Sequence, residues 1–546
     1  MKRIVIVGGV AGGMSAATRL RRLDDTAEII VLERSGHVSY ANCGLPYYVG
    51  GVIENEADLL LQTPLSLFNR FRLDVRVLSE VTSVNAAAKS VTVRNIVDET
   101  EYELSYDNLI LSPGAKPILP PIPGIELAYT LRTVEDVAKM TTAVEAAPKS
   151  AVVIGGGFIG LEIAENLVHR GIKTTIVEAS DQLLAPLDSE MATLVAEEVR
   201  SHGVHLYLNS TAAEISTTAV VLKDGTSIEA DLVIAAIGVR PDTDLAKAAG
   251  LTIGTRGGVA TNQHNQTSDP AIYAIGDAAE KTDALDGSAS LVPLANIANR
   301  HGRIVADHIY GRHTRLVDTI GTAIVKVFDL TIATTGWNEK RLTAAGRAFE
   351  IIHTHPSSHA GYYPGATAMT LKMIFDPNTQ QVLGAQGIGK EGVDKRIDVL
   401  ATAIRAGLSA PELADLELAY APPFGSAKDP VNMLGYIAEN RISKLITAIQ
   451  WHEIPQYVKD GYLILDVRTD SEFSRGSIAG AVNLPIDSIR DRFEEVSNKD
   501  VLVLCQVGQR AHTATLLLND LGFNAILIDG GYLTWSHSPA ALQPAS

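Results

Sequence analysis

Ala151-Val152-Val153-Ile154-Gly155-Gly156-Gly157-Phe158-Ile159-Gly160 is the stretch on which the fold turns. Four apolar residues make a short buried strand, glycines follow, a helix-forming run continues through Arg170, and a second apolar run, Thr174 to Val177, closes on Glu178. Glycines at 155, 157 and 160 fit G-x-G-x-x-G. They permit the strand-to-helix reversal, let the backbone approach a pyrophosphate, and let the helix pack on the strand. Glu178 follows Gly160 by 18 residues, where a carboxylate meets the ribose hydroxyls of a bound dinucleotide. Only Ala179 and Ser180 come next, with no arginine for a 2′-phosphate, so NADH is expected rather than NADPH.

The same pattern stands at the N-terminus. Residues 3–7 are an apolar run, Gly8-Gly9-Val10-Ala11-Gly12-Gly13 is the turn, Ser15 to Leu23 reads as helix, and Glu28 to Leu32 reads as a strand closing on Glu33. Val10 takes the central glycine's place, but Gly8 and Gly13 hold the outer positions and Glu33 stands 20 residues beyond Gly13. Lys2 to Val7 has the look of a secretion signal, yet it runs straight into the glycine turn and reads better as a buried first strand. A repeated βαβ unit implies two nucleotides on one chain. Between the units lie a β-rich stretch, 75–112, and a connector, Pro117 to Pro123; the second unit ends in the apolar run Leu232 to Ile237. Residues 322–436 read as a third domain, 437–453 as a helical linker, and a new α/β pattern begins at Leu463.

Composition bounds the function. The chain of 546 residues implies three or four domains at about 150 residues each. A net charge of −17 disfavours nucleic acid and anionic membranes, and no apolar run is long enough to span a bilayer. Cys43 and Cys505 are the only cysteines, which points to a reducing cytoplasm and to thiols that do chemistry. No metal site is expected. Gly389-Lys390 lacks the glycine frame of a P-loop and is set aside.

Thr267-Ser268-Asp269-Pro270-Ala271-Ile272-Tyr273-Ala274-Ile275-Gly276-Asp277 resembles the second flavin fingerprint of the pyridine nucleotide-disulfide oxidoreductases. The resemblance implies an α/β chain with two Rossmann-like dinucleotide-binding domains, for FAD and NAD, and an α+β dimerisation domain. The implied order is 1–148 and 263–321 for FAD, 149–262 for NAD(P)H, and 322–436 for the interface. FAD contacts are then implied at Gly8, Gly9, Gly13, Glu33, Arg34, Val81, Asp277 and Pro293, and nicotinamide contacts at Gly155, Gly157, Gly160, Glu178 and Gly238. Ser39-Tyr40-Ala41-Asn42-Cys43-Gly44-Leu45-Pro46-Tyr47-Tyr48 has Tyr48 where double-cysteine members carry a second thiol. It resembles the single-cysteine branch, which holds coenzyme A disulfide reductases, NADH-dependent persulfide reductases, and some NADH oxidases and peroxidases. A lone thiol holds electrons by pairing with an external sulfur or by oxidising to sulfenic acid. A helix N-terminus beside a flavin is expected to lower its pKa. Arg19 and Arg22 share a helical face. By the resemblance they meet coenzyme A phosphates, with Ser39, Asn42, Gln62, Asn299 and Lys428 as further contacts. Tyr362 (chosen over Tyr363) and Tyr420 lie in motifs that, in relatives, supply hydroxyls from the partner subunit of a homodimer, one serving as general acid for the released thiolate.

Cys505-Gln506-Val507-Gly508-Gln509-Arg510, entered from a strand and followed by a helix, resembles the active loop of rhodaneses, implying a fourth domain at 454–546. Leu465-Asp466-Val467-Arg468, Gly480 to Pro485 and Gly530 to Trp535 match the same family's signature. Loop amides, Arg510 and the helix dipole are expected to stabilise a thiolate or persulfide. Four residues separate Cys505 from Arg510, whereas phosphate-cleaving cysteine loops need five, so a sulfane sulfur fits better. Ser477 stands where a histidine is common. The expected activity is reduction of coenzyme A disulfide, coenzyme A persulfide or polysulfide by NADH through FAD and Cys43, coupled to sulfur transfer at Cys505. The alternatives are an NADH oxidase or peroxidase cycling through Cys43 sulfenic acid, and a non-catalytic redox sensor or sulfur-trafficking scaffold.

Overall fold

All five residues of the strand Ser150–Ile154 are buried, as a parallel strand covered on both faces must be. In the computed structural model, which describes residues 1–314, 318–496 and 499–542, this strand lies between Lys173–Val177 and Leu232–Ala235, both parallel to it. The N-terminal repeat builds a parallel sheet in the order Ile272–Ala274, Asn108–Leu111, Arg3–Val7, Glu28–Leu32, Asp74–Arg76. Ile272–Ala274 therefore returns to the first sheet after the second has been completed, and carries Gly276-Asp277 back to the first glycine turn.

Two compact units result, Met1–Asp181 with Gly203–Thr319, and Gln182–His202 with Ile320–Ser546. In the first unit the period of two along Arg3–Val7 divides the core. Val5 and Val7 pack on one side with Leu109 and Ile272; Ile4 and Ile6 pack on the other with Ala17 and Leu20 of the helix Ala11–Leu23. Burial of each such side chain contributes about 1.5–3 kcal/mol.

The second unit holds an antiparallel sheet in the order Ala323–Val327, Leu330–Gly336, Val382–Gly389, Met369–Phe375, Glu350–Thr354. It also holds a parallel sheet in the order Ala448–Ile449, Asn524–Ile528, Asp500–Leu504, Leu463–Asp466, Val482–Asn483. The segment read as a helical linker divides. The helix Pro430–Ile442 covers only its start, and Ala448–Ile449 already pairs with Asn524–Ile528. Among the described residues no helix is long and apolar enough to cross a membrane.

One buried cluster in the second unit departs from apolar packing. The ammonium of Lys372, fully buried in Met369–Phe375, lies 2.9 Å from Asp188, 2.5 Å from Glu190, and against Glu339. Burial works against its charge, but the three carboxylates hold its proton more firmly than usual. Removing the cation leaves Asp188 and Glu339 without their counter-ion and Glu190 with His353 alone, so Lys372→Met is expected to destabilise the chain by about 3–5 kcal/mol. Chemical denaturation of the full-length protein reads this directly; an unchanged midpoint would contradict it.

Candidate functional site

The two glycine turns share one geometry. Gly8 has φ +99° and Gly155 φ +114°, a region open to glycine but strained for other residues. A Cβ on Gly8 would stand 2.1 Å from Ser112 O, and one on Gly155 2.4 Å from Ala236 O. Gly13 and Gly160 press as closely on Gly8 O and Gly155 O, at 1.9 and 2.0 Å from a Cβ. At the central position a Cβ on Gly157 meets no protein atom within 4 Å. Val10 takes the corresponding place in the first turn.

Each acid then clamps its turn. Glu33 accepts Gly9 N–H at 2.8 Å and Ser35 N–H at 2.9 Å; Glu178 accepts Gly156 N–H at 2.6 Å and Ser180 N–H at 2.8 Å. A carboxylate has about four acceptor sites, so lone pairs remain for ribose hydroxyls. These residues fit two dinucleotides: the first turn, Glu33 and Asp277 would hold FAD, and the second turn with Glu178 would hold NADH. Of the other implied contacts, Arg34 and Pro293 are exposed and Gly238 has φ +121°. Val81 packs its side chain into the core, so only its backbone is available to a ligand.

Cys43 lies in the turn Asn42–Gly44, directly before the helix Leu45–Gly50, and is free and exposed. The chain's own groups do not lower its pKa as expected. Surrounding protein mass pushes the thiol up, Glu162 and Asp277 add to this, and Arg132 opposes them. Glu162, raised to about 7 chiefly by burial, accepts the Tyr47 hydroxyl at 3.3 Å. Arg132 pairs with Asp277 at 2.6 Å, and Lys281 donates to Gly276 O at 2.6 Å. Sequence reading missed Tyr47, Arg132, Glu162 and Lys281. Glu162 alone carried a signal, as an acid inside the second dinucleotide helix.

The expected phosphate contacts are partly engaged already. Arg19 donates twice to Asp307, at 2.9 and 2.6 Å, while Arg303 and Arg312 approach the same carboxylate at 3.8 and 3.6 Å. Three guanidiniums around one acid leave a net positive patch. Arg22 is exposed and lies over Phe71, whereas its neighbour Arg21 is buried against backbone carbonyls. Ser39 has φ +49° and donates its N–H to Gly9 O. Asn42 is half-buried in the Cys43 turn. Gln62 accepts from Ser66, and Asn299 from Ser15.

In the second unit the Tyr362 and Tyr420 hydroxyls meet at 3.1 Å and both rings are exposed. Tyr363 instead packs edge-on against His359. Lys428 is exposed beside Asp429, the N-cap of Pro430–Ile442. Cys505, fully buried, ends Asp500–Leu504 and precedes the helix Gln509–Asp520. Arg510 is shared: Glu472 accepts from both its terminal nitrogens, at 2.8 and 2.7 Å, and its guanidinium also interacts with Cys505. Arg468, absent from the expected set of catalytic residues, donates to Gln506 of the loop at 3.1 Å and stacks on Tyr532. Ser477 bonds Asp466 at 2.7 Å in place of the usual histidine.

The pyridine nucleotide-disulphide oxidoreductase model matches residues 2–302, its dimerisation domain 322–430, and the rhodanese-like domain 451–538. A coenzyme A disulfide reductase of Staphylococcus haemolyticus is 35% identical over 442 residues, covering 81% of this chain and all of the relative. The crystal structure of reduced Bacillus anthracis CoADR-RHD superposes with a TM-score of 0.97 at 48% identity, covering 98% of each chain. The NAD-dependent persulfide reductase from A. fulgidus gives 0.92 at 36% identity, covering 98% of this chain and 100% of that one. The chain belongs to the pyridine nucleotide-disulphide oxidoreductase family and carries its dimerisation domain and a C-terminal rhodanese-like domain.

Proposed function

We propose that this chain reduces coenzyme A disulfide and coenzyme A persulfide with NADH at Cys43, and moves sulfane sulfur at Cys505. The observation that carries the reading is a free, exposed Cys43 at a helix start, in a unit with no second cysteine. Such a thiol can close a disulfide only with a sulfur brought to it. The arginines around Asp307 suit a phosphate-bearing thiol carrier. Two unpaired cysteines suit a reducing cytoplasm.

Cys43 thiolate attacks one sulfur of the disulfide, forming a Cys43–S–S–coenzyme A bond and releasing the other coenzyme A as thiolate. With a persulfide, attack at the inner sulfur releases hydrosulfide. Reduction of this mixed disulfide by two electrons from NADH, the chemistry that bound FAD would supply, returns Cys43 thiolate and a coenzyme A thiol. Asp277 and the first glycine turn orient the flavin, while Glu178 and the second turn orient the nicotinamide.

Two groups handle protons. Tyr362 is protonated at neutral pH as any phenol is, and its hydrogen bond with Tyr420 raises its pKa further. Supplied by the partner subunit of a homodimer, it donates to the leaving thiolate. Glu162 exchanges a proton near pH 7 beside Tyr47 and Cys43.

Anaerobic NADH oxidation with coenzyme A disulfide and persulfide tests the reading. Cys43→Ser should abolish both rates, whereas Cys505→Ser should spare disulfide reduction and lose sulfur transfer. Oxygen consumption without thiol that outruns both rates would replace this reading with sulfenic-acid cycling. Co-expressed Cys43→Ser and Tyr362→Phe/Tyr420→Phe chains should regain activity in the mixed dimer, with one intact site; no recovery would mean the tyrosines serve their own subunit. Glu162→Gln removes a charge that, above about pH 7, raises the Cys43 pKa. Its thiol should therefore titrate at lower pH. The alkylation profile of Cys43, followed by mass spectrometry in a Cys505→Ser background, checks this.

A further inference from the structure

Behind the Cys505 loop lies a buried ionic cluster that the chemistry at Cys43 does not use. Asp529 ends the strand Asn524–Ile528, which neighbours the strand leading into Cys505. Its carboxylate accepts His353 N–H at 2.9 Å, His353 Nδ1 at 2.8 Å, Gln450 Nε2 at 3.2 Å, and Arg441. His353 belongs to Glu350–Thr354, the edge strand of the antiparallel sheet, and its Nε2 reaches Glu190 at 3.1 Å. With a carboxylate on each ring nitrogen, both nitrogens donate, and the ring is an imidazolium. Burial opposes that charge, yet Asp529 and Glu190 raise the pKa to about 9. Burial likewise opposes ionisation of Asp529, but Arg441 and His353 hold it down at about 2. His355, two residues on, bonds Thr534 at 2.8 Å and Thr370 at 3.0 Å, and burial keeps it neutral, lowered to about 3.

The residues directly after Asp529 carry this grip to the thiol. Gly530 and Gly531 both have φ +65°. A Cβ on Gly530 would fall 2.8 Å from His353 Cβ, and one on Gly531 would fall 2.4 Å from Cys505 O. Consecutive residues thus touch the sheet's histidine and the cysteine's carbonyl. Tyr532 N–H then donates to Cys505 O at 2.8 Å, and Leu533 N–H to Gln506 O at 2.9 Å. The loop backbone hangs from a segment whose other side is fixed by His353, His355 and Arg441.

We propose that His353 and Asp529 are positioning residues for the Cys505 sulfur loop, through which the antiparallel sheet sets the reactivity of the C-terminal thiol. The proposal rests on the sulfur-transfer reading of Cys505 given above. The charged groups facing His353 are Glu190, Asp529, Lys372 and Arg441. All four side chains are buried, so their effect runs through loop geometry, which sulfur transfer requires to a fraction of an ångström.

The test uses the full-length, FAD-loaded enzyme and the variants His353→Gln, Asp529→Asn and Thr534→Val. Two measurements are made: thiosulfate-to-cyanide sulfur transfer, and the pH profile of Cys505 alkylation located by mass spectrometry. His353→Gln and Asp529→Asn should each lower kcat for transfer by about tenfold or more, the scale seen when a supporting partner is removed. The KM for thiosulfate should stay near wild type, the alkylation midpoint should move, and NADH-dependent disulfide reduction should be unchanged. Thr534→Val, which only deletes the hydroxyl that meets His355, should act in the same direction more weakly, and it decides the matter if the charged-site variants do not fold. Wild-type transfer and alkylation in the folded variants overturn the proposal, as does a lost kcat with an unmoved alkylation profile. If the wild-type enzyme transfers no sulfur, the reading of Cys505 fails instead, and the alkylation profile still decides the positioning.

Discussion

Two carboxylates holding two glycine turns set the scale of the first unit. Glu33 and Glu178 each bridge an amide in the turn and an amide two residues beyond themselves. The bridge ties the end of one strand to the loop of its neighbour, so the helix N-terminus and the acid present a fixed concave edge. Everything chemical in this unit is measured from that edge. Asp277 reaches it because Ile272–Ala274 pairs with Asn108–Leu111 in the same sheet, and Cys43 reaches it because Ser39 N–H is tied to Gly9 O. Were the turn free to relax, neither the carboxylate nor the thiol would have a defined distance to a bound ring.

Much of this was legible in the sequence because it is local. Strand period, glycine spacing and the terminal acid all fall within about thirty residues of one another, the span of one βαβ unit. The departure at Val10 was legible as a departure, but its harmlessness was not. What surrounds Val10 depends on folded backbone and on the bound dinucleotide rather than on spacing. The loop of Cys505 was legible for the same local reason. The commitment of Arg510 to Glu472 was not, since the two are 38 residues apart and no motif pairs them.

What escaped entirely are contacts that join distant segments. Glu162 lies 115 residues from Tyr47, and Arg132 lies 145 from Asp277. An acid in a helix reads as a solvated face until the fold shows what stands opposite. The pKa of Cys43 was misjudged on the same ground. The helix start it precedes favours a thiolate, but a helix of six residues offers a small dipole, and the burial and carboxylates that oppose it come from other parts of the chain.

Stability alone does not account for the charges buried in the second unit. An apolar cluster of the same volume at Lys372 or His353 is often neutral or more stabilising than a buried ion pair. Apolar surfaces, however, tolerate sliding, and several registers then lie close in energy. An imidazolium between Glu190 and Asp529 permits one register, because a shift that breaks either hydrogen bond leaves a charge buried and unmatched. For a thiol that is fully buried and must still present one sulfur to an incoming partner, a single register counts for more than added stability. The cluster accordingly stands two residues from Gly531, the glycine that touches the Cys505 carbonyl.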